Sequence, residues 1–469
     1  MKKIINLTLI FILFSNCSLT KIPKYWSKDE NVAVVKKEVI VKNILKKKCT
    51  GLLFLKKCKE LEIFNIKKTF LKEKRIDQEF NIDLEIQLNT RLKTNNNTLK
   101  NPIDNDEGRI DYDGDLKKIS KYKFSKIENF NRYEPKPLLL NENIVFFDNK
   151  GYILNFNIKG DLLWKKNYYT KLEQKKKPIL FFENKNKIIL VSDTIGKYYA
   201  IDNDTGNLLW SKIGTSPFNS QIKIYGNKFF IVDFNNTLRA YDINNGNEIW
   251  NIKTESNLIR SQKKISLAIK DKNIFFNNSL GDITAVKIET GELLWQVPTQ
   301  SSLVYDEGFF LQNSDIVIND YTLYFSNNNN QFFSIDTKTG IINWIQNINS
   351  HLKPIIVNDL IFTVSLEGFL IIIEKNKGNI IKVNYLFKDF NKKYLLEDKM
   401  LNHNIVTTGF IVGKNNIYLT TNKGKLHIIK IKDAKTIKIL DLDKNKIYRP
   451  TIKNQNLFIT TENSIIKLN

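Results

Sequence analysis

Gly196-Lys197-Tyr198-Tyr199-Ala200-Ile201-Asp202-Asn203-Asp204-Thr205-Gly206-Asn207-Leu208-Leu209-Trp210 is the stretch on which the fold turns. It reads as an alternating strand up to Asp202, a turn, and a second apolar strand carrying the Trp. Asp202 can cap the turn through its own backbone, and Gly206 supplies the positive φ the turn needs. The pattern recurs. Thr237 to Asp242 leads through Gly246 to Trp250, Asp282 to Lys287 through Gly291 to Trp295, and Phe332 to Asp336 through Gly340 to Trp344. An earlier copy has Gly151, Gly160 and Trp164, its turn one residue shorter. The Gly-to-Trp offset is four in all five copies, and successive Trp are 46, 40, 45 and 49 residues apart. Every Trp except Trp26 belongs to the pattern.

Two decayed copies follow. One runs from Gly368 through Glu374 to Gly378 and has Lys382 at the Trp position; the other runs from Gly424 through Lys430 to Ala434 and Lys438. A half-copy, Leu457 to Asn469, ends the sequence, making eight. A repeat of this length holds four short strands, one propeller blade, and a single blade cannot bury both faces, so blades must stack in a ring. The expected fold is all-β: an eight-bladed propeller of four-stranded antiparallel blades over residues 119–469, with each Trp packed on the neighbouring blade. The last half-copy lacks part of its sheet. Lys121 to Ile127 is the expected N-terminal strand that completes it and removes an open edge.

Ahead of the repeats lie an address and an extension. Lys2 and Lys3 precede an apolar run from Ile4 to Phe14, then Ser15-Asn16-Cys17. Those eleven residues are too short to cross a bilayer core of about 30 Å as a helix, so residues 1–16 read as a signal peptide. A Cys just after the apolar run is similar to a bacterial lipoprotein signal, which implies a lipid on Cys17; an ordinary cleaved signal with an incidental Cys is the alternative. By the same resemblance Ser18, where enteric-type bacteria place Asp to retain a lipoprotein in the inner membrane, permits transport to the outer membrane.

Residues 17–118 form the extension. From Lys21 to Arg75 there are 17 basic and 6 acidic residues, and from Ile76 to Leu116 there are 4 basic and 10 acidic. The basic half can meet anionic head groups beside the anchor; a solvated linker is the plainer reading. Cys49 and Cys58 flank the apolar run Gly51 to Leu55 and are either a small disulfide loop in an oxidising compartment or two free thiols. Arg91 to Asp106, rich in Asn and charge, reads as a flexible loop.

The chain as a whole carries 73 Lys and Arg against 49 Asp and Glu, a formal charge of +24. An AT-rich genome gives the same Lys-, Asn- and Ile-rich bias, and the positive charge is scattered, so nucleic acid is not the expected partner. Three Cys and three His exclude a disulfide-dense scaffold and leave no metal site in view. His351, His403 and His427 are isolated from one another, and no Gly-rich phosphate loop or nucleophile elbow is present.

The Ala-x-Asp-x-x-Thr-Gly-x-x-x-Trp pattern at Ala200 to Trp210 resembles the repeat of quinoprotein-like propellers. With the Cys-terminated signal and eight copies, the chain resembles the family of outer-membrane assembly factor BamB over Ile119 to Asn469. That resemblance implies a non-catalytic scaffold without a cofactor, lipid-anchored at the periplasmic face of the outer membrane. It also implies one copy bound to the periplasmic domains of the barrel-assembly insertase. The family's contact surface has apolar residues and an Arg after the third Trp, matched by Ile259 and Arg260, and acidic residues after the fourth. Asp306 and Glu307 supply that acidic character, although Phe310 and Gln312 occupy the places of the family's pair. The extension is longer than the family's short tether. The enzymes to weigh against this reading are quinone-dependent dehydrogenases, which share the fold. From Ile119 onward there is no Cys for a vicinal disulfide, and all five Trp are used by repeat turns. Another propeller-based envelope protein is the remaining alternative.

Overall fold

The second and third strands of each repeat are apolar at nearly every position because both their faces are covered. Ile188–Asp193 and Lys197–Asp202 are buried almost throughout, whereas Leu208–Ile213 alternates between exposed and half-buried residues. Strands sandwiched between neighbouring sheets read this way, and only the outermost, half-solvated strand keeps a period of two. A computed structural model describes residues 47–50, 57–60, 76–88, 103–254, 264–299, 311–388 and 405–469. Within Glu73–Asn469 it contains eight four-stranded antiparallel sheets. Their first strands approach one another around a central channel.

The blades follow chain order, from blade 1 (Leu138–Leu139 to Leu162–Lys166) to blade 7 (Thr407–Val412 to Thr436–Asp441). Blade 8 takes Thr451–Lys453, Asn456–Thr460 and Ser464–Leu468 from the C-terminus and Lys118–Lys123 as its outermost strand. The eight-bladed ring is therefore closed by the two ends of the described propeller. The closing strand begins three residues earlier than Lys121, its register running from Lys118 opposite Leu468 to Lys123 opposite Ser464.

A recurrent bulge explains the repeat spacing. In blade 2, Ala200 faces Trp210 and Ile201 faces Leu208, so Leu209 is the extra residue. The same shift follows Asn155, Ala240, Ala285, Ser334, Ile372 and Ile428. Wherever a Trp follows, the residue opposite it is Ala, Ser or Asn. Where the Trp has become Lys382 or Lys438, the facing residue has become Ile372 or Ile428.

Each Trp reaches the next blade. The Nε1–H of Trp164, Trp210, Trp250, Trp295 and Trp344 donates to the backbone oxygens of Asn203, Ile243, Ile288, Thr337 and Lys375, at 2.9–3.2 Å. The ring lies against the next blade's turn glycine, so closely that a Cβ on Gly246 would stand 2.5 Å from Trp210. At the seam between blades 8 and 1, the Tyr122 hydroxyl donates to the Ile158 oxygen at 2.9 Å in place of a Trp. A second capping position recurs between the second and third strands: Asp148, Asp193, Asp233 and Asn278 accept backbone N–H groups of their own turns.

The two other seams that lack a Trp are packed by residues ahead of the repeats. At the seam of blades 6 and 7, Phe80 bridges Val383, Lys382 Nζ donates to the oxygens of Ile82 and Leu84, and Ile86 is buried beside Ile431 and Ala434. At the seam of blades 7 and 8, Ile110 and Tyr112 are buried with Ile411, Tyr418, Ile459 and Leu468. These stretches of the extension are integral to the propeller's packing rather than a solvated linker. The expected flexible loop is likewise corrected over its described end, Ile103 to Asp106, which is hydrogen-bonded into the ring.

Within Met1–Lys72 the described residues form a two-stranded antiparallel sheet, Lys47–Thr50 with Lys57–Glu60, in which Cys49 lies opposite Cys58.

Candidate functional site

The channel is lined by the first strand of each blade and by residues just before it. One end is stoppered by the chain itself. The Ile103 and Asp104 oxygens accept the N–H groups of Ile269 and Ile318, and Asn105 Nδ2 donates to Leu267 and Ile316 at 2.8 Å each. Lys223 Nζ donates to Asn105 Oδ1 at 2.6 Å, and further on Ile110 N–H donates to the Val412 oxygen. Asn105 and Gly108 hold positive φ, which lets so short a stretch dip into the channel and climb out again.

Glu107, at the bottom of the dip, accepts from Lys353 Nζ at 2.7 Å and from Arg449 at 2.8 Å. Asp315 is shared in the same way by Lys264 at 3.1 Å and Lys136 at 3.3 Å. Burial alone raises the Glu107 carboxyl, but Arg449 and Lys353 outweigh it and hold Glu107 well below the usual carboxylate range. Burial likewise opposes, and Lys264 and Lys136 reverse, the shift of Asp315, which is also held low. Burial pushes the Lys136 and Lys353 ammonium groups down, each partly restored by its carboxylate. Above the stopper remains a cavity of about 440 Å³, lined by these groups and by Tyr133, Gln312, His351 and Tyr448. Among the described residues no three His, Cys, Asp or Glu side chains converge as a metal site.

This charged channel was not legible as a site in the sequence. Its members sit singly, one per blade, with no local spacing to join them; only Lys or Arg recurring just ahead of first strands could have hinted at it. Of the residues expected to matter, Cys17, Ile259, Arg260, Asp306, Glu307 and His403 lie outside the described residues. In the sequence, Ile259 and Arg260 fall in the connection leading to Lys264, and Asp306 and Glu307 in the connection leading to Asp315. Gln312 is described, and its N–H donates to Asn328 Oδ1. His351 borders the cavity, while His427 is buried in blade 7 against the Phe387 ring.

An eight-bladed ring of quinoprotein-like repeats with an occupied channel floor defines the class. A sequence model of the family described as outer membrane protein assembly factor BamB matches residues 149–384. The chain belongs to that family. Similar curated proteins include outer membrane protein assembly factor BamB of Moranella endobia, 20% identical over 256 residues, covering 53% of this chain and 61% of that protein. The protein of the same description from Shewanella oneidensis is 24% identical over 218 residues, covering 41% of this chain and 53% of its own length. The chain thus spans little more than half the length of these relatives. Among solved structures, BamB from Moraxella catarrhalis superposes with a TM-score of 0.60 at 16% identity, covering 76% of this chain and 99% of that one. Quinohemoprotein alcohol dehydrogenase from Comamonas testosteroni shares the fold with a TM-score of 0.56 at 10% identity, covering 77% and 78%.

Proposed function

We propose that this chain is a non-catalytic scaffold that assists insertion of β-barrel proteins into the outer membrane by binding the periplasmic part of the barrel insertase. The observation that carries the reading is the family match across residues 149–384, on a ring whose repeat Trp are spent on packing neighbouring blades. In this reading Cys17 carries the lipid anchor at the periplasmic face of the outer membrane, and residues 1–16 are removed. Ile259 and Arg260, with Asp306 and Glu307, contribute the contact with the insertase, one copy of the chain per complex.

Co-purification from detergent-solubilised envelopes tests the role. The insertase is expected in the eluate, and its absence while another complex is enriched would reject the assembly reading. Arg260→Glu is expected to weaken the association with little change in melting temperature; an undiminished yield removes Arg260 from the contact. Cys17→Ala is expected to release the chain from the membrane fraction. Since dehydrogenases share the fold, a quinone titration with calcium accompanies these tests, and calcium-dependent binding with a change in visible absorbance would favour an enzyme.

A further inference from the structure

The cavity lining carries six cations, Arg132, Lys136, Lys264, Lys353, Arg449 and Lys453, and five carboxylates, Asp106, Glu107, Glu134, Glu183 and Asp315. Two of the carboxylates, Glu107 and Asp315, are each shared by two cations, Glu107 by Lys353 and Arg449 and Asp315 by Lys136 and Lys264. Cations removed from bulk water are costly unless counter-charge or hydrogen-bond acceptors meet them. An ammonium has three donors and a guanidinium five. Among the described residues each of the four makes its ion pair with a single carboxylate, so donor capacity remains. Lys136 keeps 38% of its side-chain exposure, Lys264 16% and Arg449 15%, and all three line the cavity.

We propose that this channel is a binding site for a small dianion bearing carboxylate or phosphate oxygens, held between the Lys136–Lys264 pair and the Lys353–Arg449 pair. The chain already performs half of this recognition on itself. Glu107 comes from a stretch 246 residues from Lys353 and 342 from Arg449, and its tethered carboxylate is gripped by both. A free anion entering above it meets the same chemistry. The remaining volume of about 440 Å³ lies within the range of small-molecule sites, and the stopper at Ile103 to Ile110 closes one end of it. Dicarboxylates and inorganic phosphate both fit these requirements. The site is independent of the assembly role, because it uses neither the family match nor the residues assigned to the insertase contact.

Calorimetric titration of the full chain with succinate and with inorganic phosphate, each at ionic strength matched by chloride, tests the proposal. Saturable one-to-one binding is expected for at least one anion, and the preferred anion identifies the oxygen chemistry. Lys264→Gln removes one charge-assisted contact and is expected to weaken binding about tenfold. Glu107→Gln neutralises the internal competitor and is expected to tighten it. If Lys264→Gln fails to fold, Lys136→Gln serves the same purpose. Absence of saturable binding of both anions to the unaltered chain overturns the proposal. So does a folded Lys264→Gln or Lys136→Gln that binds as tightly as the parent. A Glu107→Gln variant that melts lower and takes up neither anion identifies the charges as a purely structural network and overturns it as well.

Discussion

Trp210 answers to two constraints at once. Ala200 faces it within its own sheet, and Gly246 of the next blade receives its ring. The small residue, the glycine and the indole form one packing unit across a seam, which is why they travel together and decay together at Ile372, Ala434 and Lys382. Gly246 has φ +69° and no space for a methyl group. Gly246→Ala therefore combines backbone strain with overpacking and should cost about 2–4 kcal/mol in denaturant unfolding. Ala240→Ile copies the decayed pattern into a seam that still has its Trp250, and about 1–3 kcal/mol should be lost.

His427 gives a pH signature. Burial, and secondarily Lys425, depress its pKa to about 4 from 6.5, with Asp441 opposing. The unfolded chain then binds a proton more readily than the native one between those values. The neutral imidazole's contribution is complete above pH 6.5 and is lost as pH falls towards 4. About 3 kcal/mol is at stake for a shift of this size. His427→Leu should flatten that part of the stability profile relative to the parent. The Trp and Gly positions could be read from spacing alone. The use of Lys382 could not, because its acceptors, Ile82 and Leu84, lie some 300 residues away.

At the scale of elements, the stretch from Ile76 to Leu88 behaves as a staple replacing a missing indole. Its alternation of Phe80, Ile82, Leu84 and Ile86 is visible in the sequence, yet nothing local says which edge it joins. Only Ile86 of the four is buried, while Phe80, Ile82 and Leu84 stay exposed. Ile86→Asp places an unpaired charge in that seam and should destabilise the ring by about 3 kcal/mol or more, whereas Ile82→Asp should be nearly neutral. The short sheet Lys47–Thr50 with Lys57–Glu60 makes a separate expectation. Directly opposed residues of antiparallel strands have Cα atoms about 4.5–5.5 Å apart, inside the range a disulfide tolerates. Alkylation under oxidising conditions should leave Cys49 and Cys58 unmodified until a reductant is added. The bulges, by contrast, are hidden in a sequence reading, since an inserted residue such as Leu209 looks like any other apolar position.

Taken as one molecule, the ring count and its closure by both termini were readable, because repeat number and an unfinished last copy are additive properties of the sequence. The closing strand was misplaced by three residues because Lys118–Lys123 carries little hydrophobic contrast. The stopper was missed for a deeper reason: an Asn- and Asp-rich stretch resembles a solvated loop unless its partners, here the carbonyl of one first strand and that of the residue just ahead of another, are known.

That stopper also sets an order of events. Residues 103–117 leave the ribosome before any blade, but their partners range from Lys223 to Asn469. The channel floor cannot be completed until Arg449 is available, nor the eighth sheet until the final strand, Ser464–Leu468, is. The earliest-made part of the propeller must wait for the latest. Contacts of such sequence separation slow folding and prolong the exposure of unpaired edges. During synthesis the chain thus passes through an open, unsealed ring, the stage at which a chaperone or protease has its best access.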